Sequence, residues 1–208
     1  MTREMTHSKN NRTTRSNQLI KPLAAHQQGD LDSLCGIYAI INAVRYLKDI
    51  KGWKSQAELM KRILDHMEEK GMTKTTVRLT TDGTLLYEMA SALKHIVCPK
   101  YKIHRSKPYS KNQQTTLDQF LLHCQAFLEQ KDKQRGESKA NSKAIILTAI
   151  GGKHDHWTLI KQITASRILL YDSSGLSYLG REYCCLRDDE LQKTHSIYPT
   201  CTYFLWIK

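Results

Sequence analysis

The chain has 208 residues, 40% of them hydrophobic, and no internal repeat, which suits one domain with a packed core and excludes a miniature scaffold. Its longest apolar run near the N-terminus, the nine residues GIYAIINAV (36–44), contains Asn42 and is too short to span a bilayer. A formal net charge of +12 admits an acidic protein, nucleic acid or a membrane surface as partner.

Residues 1–18 are polar and basic, with too few large apolar side chains to offset the entropy of ordering, so a disordered tail is expected before a single domain at 19–208. The first helix is expected from Ser33 through SLCGIYAIINAVRYL, with Ile37, Ile40, Ile41 and Val44 on one face and Asp32 or Ser33 as N-cap. SQAELMKRILDHMEEKG (55–71) repeats Leu59, Ile63 and Met67 every four residues and stops at Gly71. Helical patterns recur at 82–96 and 115–130. After residue 143 the texture changes to short β-branched and aromatic runs, KAIILTAIGG, HWTLIKQI, RILLYDSSG and TCTYFLWIK, which read as neighbouring strands. Helices first and strands second predict an α+β fold, a helical half packed on a mostly antiparallel sheet, with a cleft between them as the natural place for a site.

Two segments concentrate the charge besides the tail. PKYKIHRSKPYSK (99–111) holds five Lys or Arg and no acid, and QKDKQRGESKANSK (130–143) is also basic. Solvated loops explain both, and with Tyr101 and Tyr109 interleaved they would also steer an acidic protein; no nucleic-acid motif accompanies them. The six cysteines (Cys35, Cys98, Cys124, Cys184, Cys185, Cys201) have no regular spacing, and no apolar signal segment follows the basic start. Reduced thiols and a cytoplasmic location are therefore expected, with export as an effector left open by the tail. His154-x-His156 resembles half a metal site, but there is no C-x-x-C pair and no H-E-x-x-H, and no cofactor motif is present.

Cys35 stands where a polar, turn-like stretch becomes an apolar helix. A thiol in the first turn of a helix meets unpaired N–H groups and the positive end of the macrodipole, a setting that favours thiolate. A catalyst also needs an imidazole to carry the proton and a third group to orient that imidazole. GGKHDHWTLI brings His154 and His156 to a strand start, and LLYDSSG puts Asp172 near the end of the next strand. If Ile163 pairs with Arg167 around the loop Thr164–Ser166, Thr158 faces Asp172 and His156 faces Ser174, so His156 and Asp172 are diagonal neighbours on one face. A slip of one residue would part them. His156 is the better base in that register, with His154 as the alternative and Asp155 near both. The sequence DSSG is equally good turn chemistry, in which the Asp172 carboxylate would bond its own backbone.

In this order, DSLCGIYAIINA, HWTLI 121 residues after the cysteine and LYDSSG 16 residues after the histidine, the chain resembles the papain-like cysteine peptidase superfamily. The likeness is closest to the compact bacterial branch of leader-peptide and effector peptidases, and covers roughly residues 27–175. It implies a papain-like fold with Cys35 as nucleophile, His156 as base and Asp172 as orienting acid. It also implies a glutamine about six residues before the cysteine in the oxyanion hole. Position 29 is Gly here, so with one extra loop residue Gln28 takes that part, with Gln27 as the alternative. The implied activity is hydrolysis of peptide or isopeptide bonds in a protein or peptide substrate, acidic or ubiquitin-like, with neither cofactor nor membrane. The same machinery serves a glutamine deamidase or a transglutaminase-like acyl transferase, and a catalytically silent basic binding module would keep the fold without the chemistry.

Overall fold

The computed structural model describes residues 24–25, 27, 34–71, 84–111, 113–137, 143–187 and 193–208. The expected tail at 1–18, and with it Gln28, Asp32 and Ser33, lies outside the described residues.

The helices are α1 (Cys35–Lys48), α2 (Trp53–Glu69), α3 (Leu86–Ala92), α4 (Cys98–Tyr101) and α5 (Leu117–Glu137). Gly71, at φ 62°, ends the α2 segment as its sequence predicts, because the left-handed region costs glycine little. The helix expected at 82–96 instead starts at Leu86 and runs on through a π turn, Leu93–Val97, into α4. Pro99 lies just beyond that turn and lacks the N–H that an i→i−4 ladder needs.

The strands are β1 (His104–Ser106), β2 (Ala144–Gly152), β3 (His156–Ile163), β4 (Arg167–Leu170), β5 (Tyr178–Gly180), β6 (Cys184–Leu186) and β7 (His195–Trp206). They form one sheet in the order β1-β7-β2-β3-β4-β5, antiparallel except that β6 pairs β7 in parallel. The protein is thus a mixed α+β fold, but its helices are not gathered into one half. Alternate residues of the central strands enter two cores. Ile145, Leu147, Leu159 and Leu205 pack against α1, α2 and α3. Ile146, Ile160, Ile168 and Phe204 pack against Phe120, Leu121 and Cys124 of α5 on the other face. Both faces being covered explains why β2 reads AIILTAI without alternation.

Candidate functional site

α1 begins at Cys35 after Leu34, with no side-chain cap and no acid in its first turn. The first-turn N–H groups of a helix have no carbonyl one turn back to bond, and Cys35 is the first residue of that turn. Gly36 is required by crowding. A Cβ there would lie 2.6 Å from Thr84 Cβ and 2.8 Å from Met89 Sδ. Trp157 fastens the same segment to the sheet by donating its indole N–H to the Thr84 carbonyl at 3.0 Å. Behind the helix, Arg45 Nε and Tyr171 Oη both donate to the Ala24 carbonyl, at 2.9 and 2.8 Å, tying the incoming chain to α1 and to the residue after β4.

His156 opens β3, and its Nε2 lies 2.9 Å from Asp172 Oδ2. Cys35 is the other side chain that acts on this imidazole, and its hydrogen bond and charge both favour the protonated ring. Asp172 is buried, and its second oxygen, Oδ1, accepts the backbone N–H of Ser174 at 2.7 Å and the Ser174 hydroxyl. Turn chemistry and histidine orientation, rivals in the sequence, thus coexist: each carboxylate oxygen does one job.

The charges follow. Burial works against a charged imidazole, yet the hydrogen bond to Asp172, that to Cys35 and the charges of both outweigh it, raising His156 from 6.5 to about 9. Burial likewise opposes ionised Asp172, but His156 and Ser174 overcome it and hold the carboxyl below its usual range. The favoured state of the pair is imidazolium beside carboxylate.

The register that makes this contact differs from the expected one at the hairpin end. Ile163 pairs with Ile168, not with Arg167. Carried along the strands, that pairing would set Asp172 opposite Leu159, on the face His156 does not share. A β-bulge corrects it: Ile160 pairs with Leu170 while Gln162 pairs with Leu169, leaving Lys161 as the extra residue. Beyond the bulge the Tyr171 N–H donates to the Leu159 carbonyl at 2.8 Å, so Thr158 stands opposite Asp172 and His156 follows on the same side.

His154 is not at Asp172; it is exposed and stacks on His195, ring centroids 5.9 Å apart. Gln28 lies outside the described residues. Gln27 is exposed and donates to the Ala25 carbonyl at 3.4 Å, with its Oε1 facing Gly175 in the loop after Asp172. Cys184, Cys185 and Leu186 are buried, whereas Tyr183 is exposed. Among the described residues no group of three or more His, Cys, Asp or Glu is placed to hold a metal ion, and no helix is long and apolar enough to cross a membrane.

The backbone bond that DSSG predicts for Asp172 is the one from the Ser174 N–H, whereas the Ser174 hydroxyl bond, Thr84 and Lys161 escaped sequence reasoning. No local signal marks the bulge or the contact between Thr84 and Gly36. A scan against protein-family models finds no match for the chain, and neither does a search of curated proteins.

Proposed function

We propose that the protein is a cysteine hydrolase of papain-like type, in which Cys35 attacks the carbonyl of a peptide or isopeptide bond. The observation that carries this is one imidazole bonded on one side to a buried, doubly anchored carboxylate and on the other to a thiol at a helix start. Isolated structural histidines have no need of that sequence of partners.

The steps follow from the contacts. The Cys35 proton resides on His156 before attack, as the imidazolium that Asp172 stabilises. Sulfur bonds to the carbonyl carbon, and the charge that gathers on oxygen faces the N–H groups of the first turn of α1, with Gln28 as the candidate side-chain donor. The tetrahedral adduct collapses as His156 gives its proton to the leaving amine, forming a thioester on Cys35. Water, deprotonated by His156, then releases the acid and restores the thiol. Every proton taken is returned.

The acceptor of the acyl group decides between hydrolysis, deamidation of glutamine and transfer to an amine. An electrophilic peptide or ubiquitin-like probe at neutral pH is expected to label Cys35 ahead of the other five cysteines, with Cys35→Ala abolishing both labelling and turnover. Intact mass of candidate substrates then separates chain cleavage from an amide-to-acid change of about one dalton. Uniform labelling of all thiols would return the protein to the class of silent binding modules, whose partner the basic 99–111 segment would select.

A further inference from the structure

We infer that Leu85 and Tyr87 form a subsite that takes a bulky apolar side chain of the substrate, next to the bond Cys35 attacks. The inference rests on the hydrolase reading above and names what that site would recognise.

Leu85 and Tyr87 are 44% and 52% exposed, in a fold that buries most of its large apolar side chains. Their position sets them apart from other exposed apolar residues such as Leu122 on α5. Thr84, one residue before Leu85, fills the space over Gly36, the residue after the nucleophile. Successive Cα atoms are about 3.8 Å apart, so the pair flanks the start of α1 at the reach of one or two substrate residues.

The backbone of this short segment is also fixed on both sides. The Thr84 carbonyl accepts the Trp157 indole N–H, from the residue after His156, and the Leu85 N–H donates to buried Glu88 Oε2 at 2.7 Å. Leu85 is extended at φ −82°, ψ 158°, which turns Thr84 inward and its own side chain to solvent, and Tyr87 stands in the first turn of α3. A backbone anchored from the neighbourhood of both the nucleophile and the base thus holds a leucine and a tyrosine toward solvent, where an apolar substrate side chain can cover them. An acyl chain presented to Cys35 is the occupant that passes this place. Residues 84–89 carry no cation, and their one carboxylate, Glu88, is buried in its cap, so within this segment only the leucine and the tyrosine are offered to a substrate.

Peptide vinyl sulfones that differ at one residue, Leu, Gly or Asp, can be compared by the rate at which intact mass shows Cys35 modified. The leucine probe is expected to react about 10-fold faster than the glycine probe, since one buried apolar side chain is worth about that factor. Leu85→Ser with Tyr87→Ser should bring the ratio near one, and Tyr87→Ser alone should lower it. Leu122→Ser should leave it unchanged. General damage would slow all probes together, so the ratio isolates the subsite. Equal rates in the wild type, or a preference that survives the double substitution, overturn the inference. Iodoacetamide makes the other distinction: if it modifies Cys35 no faster than the other thiols, the hydrolase reading fails and the subsite with it.

Discussion

Cys35 and Cys124 belong to helices that pack on opposite faces of the same sheet, and the difference between them shows what a thiol needs before it can do chemistry. Cys124 lies mid-helix, fully buried, near Tyr109, whose hydroxyl meets His123 Nδ1 at 2.9 Å. It therefore has a hydroxyl and an imidazole nearby but, among the described residues, no carboxylate acting on it, and burial pushes its thiol far up and keeps it neutral. Cys35 is half-buried, starts its helix and faces a histidine already charged by Asp172. Nearness to a histidine is common to both. Position on the helix, access and a third group separate them, while Cys184, raised to about 11 by burial and the neighbouring Cys185, falls on the Cys124 side.

Substitution can test how sharp that contrast is. Cys35→Ala should lower turnover by a factor on the order of 10⁴ or more while leaving the thermal midpoint nearly unchanged, because acyl transfer has no substitute nucleophile. Cys124→Ala should do the reverse: activity intact, stability lower by about 1 kcal/mol in denaturant titration, from a small cavity in the α5 core. Parallel losses in the two variants would erase the distinction.

Asp172→Asn should reduce kcat/KM by roughly 10³ by removing the group that fixes the imidazole. It should also move the pH profile. In the wild type the proton needed by the leaving amine is lost as pH rises through about 9, so kcat/KM should fall there. Without the carboxylate this limb shifts down toward 6.5. Stability has the same sign: the His156 contribution is complete below its unfolded value of 6.5 and is lost as pH rises through about 9. The stability gap between wild type and His156→Ala, measured by denaturant titration, should accordingly narrow from pH about 6 to about 10.

Ser174→Ala is a smaller change, expected to cost about 10-fold in kcat/KM with little change in KM. Asp172 would then be held down less, so the acidic limb of the profile should move up. A uniform drop with no change in profile would mean that Ser174 serves only the turn. Smallest in reach is Gly36→Ala, which should cost about 1–3 kcal/mol of stability as Thr84 and Met89 are pushed back.

Much of the site was legible because its parts obey local rules. A cysteine before Gly at the first apolar turn, a histidine opening a β-branched run and an aspartate in a turn are each visible in short windows, and hairpin geometry relates the last two. What escaped depends on distant chain or on very short elements. β1, β5 and β6 have three residues each, too few for a period to emerge. The face that α5 covers is set by the sheet and not by its own pattern. Thr84 reaches Gly36 across 48 residues of sequence, and only packing brings them together.

Lys161 puts the two ends of β3 out of phase. On the hairpin side, Ile163 and Ile168 keep a greasy layer beneath α5; past the extra residue, the count restarts and brings His156 to the side of Asp172. Lengthening or trimming the loop at 164–166 would therefore disturb the layer first, whereas removing a single residue from the middle of the strand would part His156 from Asp172 without unmaking the hairpin.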